Sequence, residues 1–191
     1  MAKKNEFKPD KLRSGFLSKL YLTRKQRLSI LKWFLYSMLL LVLSVLQDVI
    51  LCRFRFLGAT TDLVPCCIFM ICILEGMNQS CVFALIAACL YQFSGGPGYY
   101  CIALIVVLGI FVTYFRQSFL QESFSAAMLC ATAALVLYEA AVFIAGLLTG
   151  VTTLSRYPVP LFTVLLTLVV CPLLYLTVRA IGTIGGETWK E

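Results

Sequence analysis

Four apolar stretches, Leu31 to Leu51, Pro97 to Phe115, Phe124 to Leu148 and Pro158 to Val178, constrain this chain more than any other feature. A helix crossing a bilayer needs about 20 mostly apolar residues, or about 17–25 allowing for tilt, and each stretch has that length. The composition agrees, with 61% hydrophobic and 13% charged residues where soluble domains carry about 25% charged, and a mean hydropathy of +0.92. After the first 30 residues no segment has both the length and the polar surface to fold in water. The expected class is therefore all-α, a polytopic transmembrane helix bundle.

Between the first two stretches lies Asp62 to Phe93, too long for one simple helix. It is broken by Glu75-Gly76-Met77-Asn78-Gln79-Ser80, where a glycine among polar side chains signals a turn. The segment divides into two short spans, about Leu63 to Leu74 and Cys81 to Phe93, which reach across by borrowing flanking residues or thinning the bilayer. Six spans result. With the N-terminus inside, the cytoplasmic side then holds nine tail cations plus Lys32, Arg116, Arg179 and Lys190, 13 in all, and the outside holds three, Arg53, Arg55 and Arg156. A single span over 62–93 would give 11 inside and five outside, so the positive-inside rule favours six, with both termini cytoplasmic.

The net charge of +7 resides in the N-terminal tail: beyond residue 30, seven Lys/Arg balance seven acids. The expected organisation is a basic cytoplasmic tail at 1–30, a six-span membrane domain at 31–180 and a C-terminal tail at 181–191. The N-terminal tail sets topology and can meet anionic lipid through its mixture of basic and apolar residues. No recognition motif points to nucleic acid. The first apolar stretch is too long for the core of a secretory signal and follows too long a basic region, so it is expected to stay in the mature protein.

Histidine is absent, which excludes His-dependent nucleophile pairs, general bases and metal ligands. The nine cysteines are odd in number, form no C-x-x-C pair and sit almost all in apolar runs. They read as small buried hydrophobes, neither a disulfide frame nor a metal site. Gly-x-Ser-x-Gly and phosphate-binding Gly-Lys-Ser/Thr motifs are also missing. No catalytic residue, cofactor or metal is expected.

Ionisable groups at membrane depth usually mark a function or an internal pair. Glu139, near the middle of Phe124 to Leu148, is the deepest; it is either a proton-coupled or partner-facing site, or a protonated or hydrogen-bonded carboxyl within the bundle. As a lone acid it supplies no relay. Asp48 is expected to pair with Arg53 and Arg55, and Glu75 to be solvated in a turn. In the run Ser94-Gly95-Gly96-Pro97-Gly98, Ser94 is expected to cap and Pro97 to open the next helix. Small residues recur at Ala126, Cys130 and Ala134, at Ala141 and Ala145, and at Gly146 and Gly150, a stripe that lets helices approach closely in lipid, either within the bundle or against a partner subunit.

The order of these features resembles a known family. A basic start, a first span, Leu57-Gly58-Ala59-Thr60-Thr61-Asp62-Leu63, a glycine turn, and Leu90-Tyr91-Gln92-Phe93-Ser94-Gly95-Gly96-Pro97-Gly98 before the next span resemble the bacterial rod-shape-determining membrane protein MreD family, over roughly residues 31–180. Family members commonly have Gly-x-x-Pro-Asp-Leu entering the second span, where Asp62 and Leu63 match and Thr61 replaces the proline. An aspartate commonly precedes the Ser-Gly-x-Pro loop, where this chain has Gln92, and glycines are common on the third span, where it has Ala84 and Ala88. The resemblance implies a six-span bundle similar to the substrate-binding subunits of energy-coupling-factor vitamin transporters. Its implied role is a non-catalytic inner-membrane scaffold for cell elongation that pairs with a single-span MreC-like protein and links MreB-type filaments to peptidoglycan synthases. The candidate partner or structural residues are Asp62, Gly95, Gly96, Pro97, Glu139, Gly146 and Gly150. The competing reading is a small-molecule uptake subunit of the energy-coupling-factor type, and a polar-lined, outward-facing cavity separates the two, because only the uptake subunit requires one.

Overall fold

A computed structural model describes residues 24–53, 58–119 and 123–184. Most of the basic tail, Arg55 and most of the C-terminal tail lie outside them. The described residues form six α-helices: α1 (Arg24–Val49), α2 (Leu63–Leu74), α3 (Met77–Phe93), α4 (Tyr100–Phe119), α5 (Phe124–Leu148) and α6 (Pro158–Gly182). The all-helical class is as expected, and α2 and α5 have the bounds read from the sequence. Three segments, Gln26–Arg53, Phe124–Leu148 and Leu154–Gly182, are helical, long and apolar enough to cross a membrane.

α2 is the centre of the molecule. Its sequence, LVPCCIFMICIL, has no polar face, all twelve residues are buried, and the helix touches each of the other five. α1 is peripheral: Tyr36, Leu40 and Leu43 form its buried stripe, while Phe34, Met38, Leu41 and Val45 face outward. α5 turns Ala127, Cys130, Ala131, Ala134, Leu135 and Tyr138 inward, and the Tyr138 ring meets Phe69 of α2 edge-on at 6.0 Å. The small-residue stripe on α5 thus packs within the bundle at Cys130 and Ala134. On α4, a Cβ at Gly109 would stand 3.3 Å from Cys72 Sγ, so glycine permits a close α2–α4 approach.

Successive helices run in alternating directions. At one end, Lys32 near the start of α1 pairs with Glu75 just after α2 at 2.7 Å. Tyr36 lies between Glu75 and the carbonyl of Val178, late in α6, and Thr113 of α4 reaches the Cys72 carbonyl at 2.9 Å. At the other end, Ser94 beyond α3 donates to Asp48 of α1 at 2.7 Å, and Gln47 of α1 meets the start of α2.

Four local expectations are corrected. Glu75 is not solvated: it is buried, ion-paired with Lys32 and accepts a 2.8 Å bond from Tyr36, because α1 and α6 close over the turn. Asp48 takes its hydrogen bond from Ser94 in place of the expected pairing with Arg53, and Arg55 lies outside the described residues. α3 starts at Met77, four residues before Cys81, since Asn78 to Ser80 extend the helix and the turn is confined to Glu75 and Gly76. α4 starts at Tyr100, not Pro97. The preceding loop needs a left-handed Gly95 with φ +108, and Ser94 closes α3, its backbone N–H bonding back to Leu90 and its hydroxyl holding α1.

Candidate functional site

A polar cluster sits where the chain enters α2. The first N–H groups of a helix have no partner within it, and an Asp at the N-cap would normally accept from one of them. Here the Asp62 side chain makes no such cap. The task passes to another helix: Gln47 Oε1 on α1 accepts from Leu63 N at 2.9 Å and from Val64 N at 3.1 Å. The next residue, Pro65, has no N–H to satisfy.

Freed from capping, Asp62 turns to four helices. Its Oδ1 accepts from Gln47 Nε2 at 2.9 Å and from the Tyr91 hydroxyl of α3 at 3.2 Å. Its backbone N–H donates to Thr167 Oγ1 of α6 at 3.0 Å, and Thr167 in turn donates to the Thr163 carbonyl at 2.7 Å. Its carboxyl lies close to that of Glu139 of α5. Glu139 is therefore not a lone acid: a partner 77 positions earlier in the chain meets it inside the bundle. Glu139 Oε1, on the other hand, is buried with no hydrogen-bond partner.

Beside this cluster opens a cavity of about 660 Å³, lined by residues that include Gly58, Pro97, Tyr100, Glu139, Gly146, Thr152 and Arg156. The structure thus gathers several sequence candidates into one region. Pro97, Glu139 and Gly146 line the cavity, and Asp62 adjoins it through Glu139. Gly95 and Gly96 belong to the loop carrying Pro97, where a Cβ on Gly96 would come within 3.0 Å of Gln92 Oε1. Gly146 makes room for Thr152, since a Cβ there would stand 2.5 Å from Thr152 Oγ1. Gly150 lies apart, exposed in the turn after α5 with φ +73; its role is conformational.

Sequence reading missed Gln47, Tyr91, Thr167, Thr152 and Arg156 as members of this region. Polar groups from four helices converge on Asp62, and no local spacing announces that. A signal was available in Pro65, which three residues into a helix marks an entry whose free N–H groups need an external acceptor.

Fold and site together define a class: an all-helical bundle of membrane type, organised around a buried central helix and a polar cluster at its entry. No protein-family model matches the chain, and no curated protein and no solved structure matches it either.

Proposed function

We propose that the chain is a non-catalytic, six-span scaffold of the bacterial inner membrane, with both termini cytoplasmic, acting in the cell-elongation complex. In this reading it binds an MreC-like single-span protein and couples MreB-type filaments, indirectly, to peptidoglycan synthases. Support comes first from the resemblance of Gly58 to Leu63 and Leu90 to Gly98 to the MreD family, and from six helices of alternating direction. The observation that carries it is how the polar cluster is used. Asp62, Gln47, Tyr91 and Thr167 satisfy one another across α1, the entry to α2, α3 and α6, so these four polar groups fasten helices together. The alternating directions also suit the cation asymmetry of the sequence.

The cavity favours a second reading, a small-molecule uptake subunit of the energy-coupling-factor type. It has the size of a ligand pocket, about 300–1,000 Å³, and carries Glu139, Arg156 and the hydroxyls of Tyr100, Thr152 and Ser155. Purifying the tagged chain in mild detergent separates the readings by what comes with it. The scaffold should retain a single-span protein with a large extracytoplasmic domain, whereas an uptake subunit should retain a transmembrane coupling subunit and paired ATPases. Recovery of the ATPase set without the single-span protein would overturn the scaffold reading.

A further inference from the structure

Two charged residues line the cavity, Glu139 and Arg156, and they form no ion pair with each other. Glu139 belongs to the middle of α5, and Arg156 is exposed in the short 3-10 turn (Leu154–Arg156) before α6. The cavity therefore presents an acid from a membrane-depth helix and a guanidinium at its loop end, separated by more than ion-pair distance.

Glu139 is the unmatched group of the two. It lies close to Asp62 on one side, and two carboxyl groups so placed away from water repel unless a proton or a cationic donor offsets the charge. Glu139 Oε1 has no partner, and neither does the buried Thr152 Oγ1, another atom of a cavity-lining residue. Both atoms are enclosed by protein; Glu139 as a whole is partly exposed and lines the cavity, so a cationic donor held there can offset the carboxyl pair. The remaining walls, Val142, Phe143, Val159 and Pro160 among them, are apolar. An occupant with one charge would leave the other end unmatched.

We propose that this cavity binds a zwitterionic group, with an ammonium donating to Glu139 and a phosphate or carboxylate meeting Arg156. Two sources supply that chemistry: the ethanolamine phosphate headgroup of a membrane lipid, and a free amino acid. The assignment stands apart from the assembly reading, since it requires the cavity alone.

The test uses the purified full chain. One arm reconstitutes it in nanodiscs of equal phosphatidylethanolamine and phosphatidylglycerol and counts retained lipid by native mass spectrometry. The other arm uses discs of phosphatidylglycerol alone and measures binding of 4-aminobutyrate, butylamine and butyrate by equilibrium dialysis. Either a preference for phosphatidylethanolamine or binding of 4-aminobutyrate at least tenfold tighter than of both single-charge analogues is expected, and the arm that responds identifies the source. Glu139→Gln and Arg156→Gln should each weaken that binding about tenfold or more. Arg156 is exposed, so Arg156→Gln keeps the test valid if Glu139→Gln disturbs folding. Three results would overturn the proposal: no binding in either arm, analogues with one charge binding as well as the zwitterion, or an unchanged affinity in a folded Arg156→Gln.

Discussion

Lys32 and Glu75 show how a charge survives inside this bundle. The two side chains meet at 2.7 Å with 9% and 5% of their surfaces exposed, and Tyr36 adds a 2.8 Å hydrogen bond to Glu75. Removing one member of a buried pair strands the other charge, at a cost of about 3–5 kcal/mol, whereas replacing both by apolar groups of similar volume is often near neutral. Lys32→Met and Glu75→Leu should therefore each destabilise by about 3 kcal/mol, and the double variant by much less than their sum. Equilibrium unfolding in mixed detergent micelles, run as a double-mutant cycle, measures this. Additive costs would mean that the pair is not coupled. Sequence alone suggested a solvated Glu75, because a glycine turn between polar residues has the same composition whether it is exposed or covered by α1 and α6.

At the scale of elements, α2 is the unusual one. Twelve residues make a helix of about 18 Å, well short of a hydrocarbon core of about 30 Å. The chain before it, from Gly58 to Asp62, is non-helical, and five extended residues add up to about 16 Å. Irregular backbone at such depth is tolerated where protein surrounds it and supplies its hydrogen bonds, as Gln47 and Thr167 do here. Gln47→Leu removes three bonds, two to N–H groups of α2 and one to Asp62. At about 0.6 kcal/mol for an interhelical bond in a membrane, the loss is about 2 kcal/mol. It should concentrate at the helix entry, so amide hydrogen exchange at Leu63 and Val64 should speed up while exchange in mid-α5 stays unchanged. Uniform acceleration would show that Gln47 is not a local cap. The bounds of α2 and α5 were legible because apolar runs ended by Asp62, Glu75, Ser123 and Thr149 leave little freedom. The start of α4 was not: Pro97 is a good first helical residue, and only the left-handed backbone at Gly95, set by the loop's tie to α1, delays the helix to Tyr100.

For the whole molecule, alternating helix directions place Lys32, Glu75 and Val178 at one end and Asp48, Ser94 and Asp62 at the other. Combined with the positive-inside rule, this supports the proposed six-span topology, which reporter fusions can test. Fusions after Gly76 and at Lys190 should report cytoplasmic, and one at Arg55 external; an external Lys190 would contradict six spans. The number of helices and their order were legible from hydrophobic length and charge. The meeting of Asp62 with Glu139 was not, since pairing between helices depends on three-dimensional packing that a linear pattern of residues does not carry. The proposed scaffold role is tested most directly by depleting the chain in its native host and following cell width and outline by microscopy as the protein falls. Loss of rod shape, restored by a wild-type copy, is the predicted result. Cells that keep their shape and diameter while losing uptake of a defined small molecule would contradict the account.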